Sequence, residues 1–254
     1  MIRAAWKFIL GGIFVYLISL LILLPASHVH ALLETRMTMP RQLGMNNISG
    51  TIWSGHIASL AWQGHTLGEL NWSLSPWQLL RGRLQLQTLL QGSDTTISAQ
   101  LQLRSDHSLH LQDLRARLPA AQLMTFNQGL PIAIDGVISL HLEKASLRLQ
   151  DKLSLQGKAT WNQARLITGQ PLNLGDLSLI FEPKNDGGSQ GLLSDNGGPL
   201  EIKGNINLDP RGTYQFTAQL RARPGAEDNL AQILQLLDRA DSRGFYQLRY
   251  SGRL

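Results

Sequence analysis

The chain has 254 residues, of which 43% are hydrophobic and only 16% charged, and it contains no cysteine. The lack of cysteine excludes disulfides, zinc–thiolate sites, iron–sulfur clusters and thiol nucleophiles, and the charged fraction is low for a soluble cytoplasmic protein. The formal net charge of +5 comes from scattered Lys and Arg residues, so we expect a mildly basic surface and no nucleic-acid partner.

The start of the chain predicts an export segment. An uncharged apolar run of 17 residues covers positions 8–24, which is close to the lower limit for a helix that crosses a bilayer. Basic residues precede this run and acidic residues do not, so the N-terminus is expected to stay in the cytoplasm. The alternative is a signal peptide cleaved after Ala31, although the apolar run is long for one. We expect a cytoplasmic tail at 1–7, a transmembrane anchor at 8–26 and a juxtamembrane linker at 27–42.

The exported part predicts an internal duplication. Gly50 and Gly157 are about 107 residues apart, and the same spacing separates Leu67–Leu70 from Leu174–Leu177, which read LGEL and LGDL. A Leu-Arg-Ala-Arg run also recurs at nearly this spacing. Collinear matches at one offset are typical of tandem copies of a single unit. We therefore expect two periplasmic β repeats, at 43–140 and 141–254.

Apolar and polar residues alternate within both copies, for example over 97–104, 202–208 and 214–220. A period of two predicts strands with one apolar and one polar face. Helical spacing appears at 120–126 and 228–240. The sequence therefore predicts a mainly β fold of two tandem antiparallel amphipathic β-sheet repeats with short helices, after one N-terminal transmembrane helix. The expected apolar face includes Leu101, Leu103, Ile206, Leu208, Phe216 and Leu220.

One segment predicts a mobile loop. Residues 183–199 are rich in Gly, Asn, Asp and Ser, a composition typical of loops. The first copy carries Pro76 and Trp77 at the corresponding place. We expect the two copies to differ in function here, because function is often carried by loops.

The stretch Gly-Thr-Ile-Trp-Ser-Gly at 50–55 has two interpretations. Glycines beside an aromatic residue usually mark a bend or bulge whose bare backbone is covered by the ring. The rival interpretation is a platform on which Trp53 stacks a base or a sugar. We favour the bend and treat Gly50, Trp53, Gly55, Trp72 and Pro76 as structural motif residues.

Trp77 also has two interpretations. Because it follows a proline and precedes Leu79 and Leu80, it is a possible partner-contact residue, together with these leucines, for another protein or for the membrane surface. The general tendency of aromatic residues to be buried favours a core position instead.

The sequence offers no constellation for catalysis. The histidine pairs His28/His30 and His107/His110 lack a third ligand nearby, so solvated histidines are favoured over a metal site. No GxSxG, HExxH, Walker or dinucleotide motif occurs. We expect no enzyme activity, no cofactor and no metal.

The chain resembles protein N of the type II secretion system, the general secretion pathway of Gram-negative bacteria. The resemblance rests on the anchor, on GTIWSG, on LGELNWSLSPWQLLRGRL at Leu67–Leu84 and on IDGVISL at Ile134–Leu140. It implies an accessory inner-membrane component with a periplasmic domain, which contacts other secretion subunits and acts in export across the outer membrane. The family has no assigned chemistry.

A second class of function remains open. Amphipathic sheets whose apolar faces line a trough, with one inner-membrane anchor, also resemble the AsmA-like periplasmic proteins associated with lipid movement. This resemblance implies an apolar trough that holds lipid. Fold alone does not decide between the two functions.

Overall fold

The computed structural model describes Pro25 and residues 42–79, 81–104, 106, 108–126, 133–148, 152–168, 170–235 and 239–253. The predicted cytoplasmic tail and nearly all of the predicted anchor and linker lie outside the described residues. No helix within the described ranges is long and apolar enough to cross a membrane.

The fold is one antiparallel sheet in which each strand pairs with its neighbours in sequence. The strand order runs from first to last, and no pairing joins the two terminal strands, so the sheet is open. The strands are β1 (Leu43–Gly50), β2 (Ser54–Trp62), β3 (His65–Leu74), β4 (Arg83–Gln91), β5 (Thr96–Arg104), β6 (Ser108–Pro119), β7 (Ala133–Arg148), β8 (Lys152–Thr168), β9 (Gln170–Pro183), β10 (Ser189–Asp195), β11 (Leu200–Leu208), β12 (Thr213–Ala222) and β13 (Tyr246–Arg253).

The expectation of a separate sheet in each repeat is corrected by this topology. The expected boundary at residue 141 lies inside β7, which pairs with β6 on one side and β8 on the other. Two separate sheets would have left further strand edges with unpaired backbone groups, and the β6–β7 pairing satisfies those groups. The division of the chain into two repeats stays a prediction.

Within the residues that the structure describes, three short helices interrupt the strands: α1 (Pro76–Leu79), α2 (Ala120–Phe126) and α3 (Asp228–Gln235). The helix expected at 120–126 has those bounds. The helix expected at 228–240 begins at Asp228, whose carboxylate lies in the first turn and suits the positive end of the helix dipole. Its described extent ends at Gln235, and residues 239 and 240 are not helical.

The mobile loop expected at 183–199 is wrong, because this segment contains β10. This strand pairs with β9 from Ser189 to Asp195 and with β11 from Ser189 to Ser194. The glycines that suggested a loop fall mainly in the two turns that flank β10, where Gly187 and Gly197 have positive φ angles of 89° and 83°.

Cross-strand pairing places most of the apolar strand residues on one face of the sheet, here called the apolar face. Leu101 pairs with Leu86 and with Leu111, and Ile206 pairs with Phe216. Paired residues point to the same side of a sheet. The opposite face, here called the polar face, carries mostly Ser, Thr, Gln, Asn and charged residues. The six residues expected on the apolar face all lie there: Leu101, Leu103, Ile206, Leu208, Phe216 and Leu220.

The best-buried part of the apolar face lies under α3. Leu230 and Leu234 of this helix are 2% and 4% exposed. They pack in one cluster with residues from β8, β9, β11 and β12, including Leu172 and Ile202. Away from the helix the apolar face is less covered, since Leu103 is 42% and Tyr250 is 64% exposed.

Candidate functional site

The Gly-Thr-Ile-Trp-Ser-Gly stretch forms the turn that closes the β1–β2 hairpin. Gly50 has a positive φ of 89°, a conformation that favours glycine. The Thr51 hydroxyl accepts hydrogen bonds from the backbone N–H groups of Trp53 and Ser54, both at 3.2 Å. The Thr51 N–H in turn donates to the Ser54 carbonyl at 2.8 Å. These bonds satisfy the backbone groups that the turn removes from the β ladder.

The ring that covers the bare glycine backbone belongs to Trp72 rather than to Trp53. Gly55 and Trp72 are cross-strand partners, and a Cβ atom at position 55 would lie 2.1 Å from Cζ2 of the Trp72 ring. The Trp72 indole N–H also donates to the Ile52 carbonyl at 3.2 Å. Two of the sequence blocks that carry the family resemblance, 50–55 and 67–84, therefore meet in space.

Trp77 is at the surface, contrary to the core position that was favoured. It lies in α1, which connects β3 to β4, and it is 75% exposed, while Leu79 is 39% exposed. Leu80 lies outside the described residues. At the corresponding place in the second half a tight turn, Lys184–Gly188, joins β9 to β10 and carries no large apolar side chain. Whether Trp77 and Leu79 contact a partner stays a prediction.

A pair of exposed apolar residues on the polar face escaped the sequence analysis. Ile180 of β9 and Leu192 of β10 are cross-strand partners and are 42% and 43% exposed. Their neighbours at the next polar-face positions are Ser178 and Ser194, whose hydroxyls lie 3.1 Å apart. The signal in the sequence was an apolar residue at a polar position of the alternation, and it was hidden because β10 was taken for a loop.

The pKa values of several aspartates lie below the ordinary value, and Asp113 and Asp195 are two of them. The pKa of Asp113 lies below its ordinary value, chiefly because Arg115 donates a hydrogen bond at 2.8 Å and secondarily because His141 lies at 3.1 Å. Burial opposes the ionisation of Asp195, yet the Ile202 N–H and the Arg223 guanidinium outweigh it and lower the pKa of Asp195. Local hydrogen bonds and ion pairs explain both shifts, so neither points to acid–base chemistry.

The polar face holds a basic depression of about 710 Å³ lined in part by Arg115, Arg117, His141 and Lys158. It is wide and open, and Arg115 and His141 are already bonded to Asp113. Across the residues that the structure describes, no three His, Asp or Glu side chains come together in a way that could hold a metal ion. His28, His30 and His107 are outside those residues.

Comparisons with known proteins match this chain over nearly its whole length. The family model for type II secretion system (T2SS), protein N, matches residues 41–249. Type II secretion system protein N of Aeromonas hydrophila is 26% identical over 98% of this chain and 99% of its own length. The proteins of the same name from Vibrio cholerae and Pectobacterium carotovorum are 27% and 24% identical over 86% and 90% of this chain. No solved structure matches.

Proposed function

The chain belongs to the type II secretion system protein N family, and from this premise we propose that it is an accessory inner-membrane component of that system. In this proposal residues 8–26 anchor the chain, the N-terminus is cytoplasmic and the sheet is periplasmic. The sheet acts as a scaffold or assembly factor that contacts other secretion subunits during export across the outer membrane. The observation that carries the proposal is the match to protein N relatives over almost the whole of both chains.

The exposed Ile180–Leu192 pair supports a subunit contact on the polar face. Two large apolar side chains side by side on a mostly hydrophilic face lose the free energy that burial would supply, about 1.5–3 kcal/mol for each side chain when fully buried. Apolar spots rimmed by polar residues are typical of protein interfaces. We therefore place a secretion-subunit contact at β9 and β10.

The test is to replace both residues and measure assembly and export. The double variant Ile180→Ser and Leu192→Ser should lower the recovery of other secretion subunits with the full chain from detergent-solubilised membranes, and should reduce export. The melting temperature should change little, because both side chains are already partly in water. The matched control is Ser194→Ala, two residues from Leu192 along β10 and on the same face of the sheet. Undiminished recovery of subunits with the double variant would contradict a contact at this pair.

A second candidate function, lipid binding, is supported by the uncovered part of the apolar face. Leu103 in β5 and Tyr250 in the last strand, β13, both lie on this face, and both are well exposed. Exposed apolar surface on a sheet face is rarely left in contact with water. Acyl chains lying across the apolar face would cover it, as in an AsmA-like lipid-binding or lipid-transfer module.

Native mass spectrometry of the detergent-extracted full chain tests the lipid-binding function. Phospholipid should co-purify in stoichiometric amount and should be lost from Leu103→Glu, because a carboxylate on the apolar face repels acyl chains and is costly to desolvate. Gln102→Glu places the same charge at the next residue, on the polar face, and should leave the lipid in place. A chain free of lipid, or equal lipid loss in both variants, would leave the scaffold as the function.

A further inference from the structure

We propose that the surface around α1 docks on a bilayer that carries anionic lipid headgroups. This surface, here called the α1 surface, comprises Trp77, Leu79, Arg81, Arg83 and Arg104. The inference rests on the inner-membrane location in the proposed function, and it adds which part of the sheet faces the membrane and what lipid chemistry that part recognises.

The first argument is the point at which the N-terminal segment reaches the sheet. Pro25 forms an isolated antiparallel β-bridge with Thr51, in the turn of the β1–β2 hairpin. The apolar run 8–24 ends at the residue before Pro25. A chain that leaves a bilayer at residue 24 therefore brings the β1–β2 turn close to the membrane surface.

The second argument is that α1 lies beside this turn. The Trp53 carbonyl accepts a hydrogen bond from the Leu74 N–H at 2.6 Å, and Ser75 donates to the Gln85 carbonyl at 3.0 Å. Helix α1 starts at the next residue, Pro76. The end of the anchor and α1 thus lie at the same end of the strands, within a few residues of each other.

The third argument is the apolar part of the α1 surface. The Trp77 side chain is 75% exposed and Leu79 is 39% exposed, so neither contributes much to the core. Tryptophan is enriched where a membrane meets water, since its ring is apolar and its N–H can still bond to headgroups or water. Leu79 adds apolar area beside it.

The fourth argument is charge. Arg81, Arg83 and Arg104 are all exposed, and Arg83 and Arg104 are direct cross-strand partners on β4 and β5. Like charges in that position repel each other. No ion pair to these three arginines occurs within the part of the chain that the structure describes, and the nearby Asp106 carboxylate accepts hydrogen bonds from Ser108. Anionic headgroups would supply a counter-charge. Each arginine near the surface would then raise the affinity of the protein for the membrane about fivefold.

The composition of the α1 surface is not repeated in the corresponding connection at the same end of the strands. The corresponding turn in the second half, between β9 and β10, pairs Lys184 with Asp186 at 3.6 Å and has no aromatic residue. Of these two connections, only the one next to the end of the anchor segment combines an exposed tryptophan with arginines that form no ion pair within the described residues. This contrast favours the membrane as the partner of the α1 surface.

The test uses the full chain, which has no natural cysteine. Gln78→Cys places a single environment-sensitive fluorophore in α1 and leaves Trp77 in place. His65→Cys places the same fluorophore at the first residue of β3, next to the β2–β3 turn and at the opposite end of the strands. Both labelled proteins are reconstituted in vesicles of phosphatidylethanolamine and phosphatidylglycerol, with spin-labelled lipid as quencher, and vesicle-bound protein is collected by flotation.

We expect lipid quenching at position 78 and little at position 65. In the Gln78→Cys background, reversal of the three arginines to Glu, or Trp77→Ala, should remove most of the quenching while the melting temperature stays nearly unchanged. Vesicles of phosphatidylcholine alone should give weaker quenching at position 78, as should high salt. Equal quenching at the two positions, or quenching indifferent to both sets of changes, would overturn the proposal.

Two other outcomes separate this inference from the proposed function. If the fluorophore at position 78 is shielded only in membranes that also contain other secretion subunits, a subunit covers the α1 surface and the bilayer inference is wrong, while the scaffold function stands. If the chain is not retained in the vesicle fraction, the inner-membrane location fails and this inference fails with it. The Ile180–Leu192 test is independent of both results.

Discussion

At the residue scale, Gly55 of β2 packs tightly against the side chain of its cross-strand partner, Trp72 of β3. The ring occupies the space that a side chain at position 55 would need, and its indole N–H bonds the Ile52 carbonyl. Strand glycines covered by a cross-strand aromatic ring are a known way to fix register and curvature. The short spacing of glycines and tryptophan predicted such a bend, but the sequence did not specify which of the crowded tryptophans would cover it.

Gly55→Ala should destabilise the protein by about 1–3 kcal/mol, because the new methyl group would overlap the Trp72 ring and force it or the backbone to move. The measurement is the free energy of unfolding in denaturant. Gly44→Ala is the matched control in β1, since its added Cβ would meet only the Ala61 Cβ at an ordinary 3.6 Å. Similar stability of the two variants would contradict the tight fit at Gly55.

Trp77 shows where residue-level reasoning fails. The average tendency of aromatic residues to be buried favoured a core position, yet Trp77 is largely exposed. Burial is decided by whether other elements cover a position, and none of the described elements covers Trp77 in α1, a four-residue helix at the end of a hairpin. An average tendency says nothing about which elements surround a particular residue. The proline at position 76, in contrast, did indicate that Trp77 lies in a connection between two strands.

At the element scale, α3 has the clearest structural role. Its start at Asp228 and its apolar spacing were predictable, because Pro224, Gly225 and the acidic residues mark a helix N-terminus. Its partner surface was not predictable, because only the register of β9, β11 and β12 brings Leu172 and Ile202 under the helix. The β10 segment was mispredicted for the opposite reason, since local composition suggested a loop and two neighbouring strands imposed a strand.

Leu230→Ala should cost about 2–5 kcal/mol of stability, because it removes a nearly fully buried side chain from the cluster under α3 and leaves a cavity. Gln232→Ala, on the exposed side of the same helix, should change stability by less than about 0.5 kcal/mol. Thermal and denaturant unfolding of the two variants give the comparison. A small effect of Leu230→Ala would mean that α3 is not required to cover the sheet.

At the scale of the whole molecule, the element order supports the proposed duplication. Six strands precede α2, and six more precede α3. The matched glycines Gly68 and Gly175 both have positive φ angles, 132° and 87°, and both lie opposite register shifts in the preceding strand. Self-comparison of the sequence detected this spacing. It did not indicate a single continuous sheet, because the strand pairing on either side of residue 141 is a tertiary contact that local sequence patterns do not specify.

The arrangement of the sheet predicts uneven stability along the chain. Most contacts join strands that are neighbours in sequence, so each region depends mainly on the adjacent strands, as in repeat proteins. The large buried cluster lies in the second half, under α3. We therefore expect, by hydrogen exchange with mass spectrometry, slower amide exchange in β9, β11 and β12 than in β1 to β3. Leu230→Ala should accelerate exchange in β11 and β12 and leave β3 to β5 nearly unchanged. Equal acceleration in all strands would indicate a single cooperative unit, in which case the open sheet unfolds as a whole.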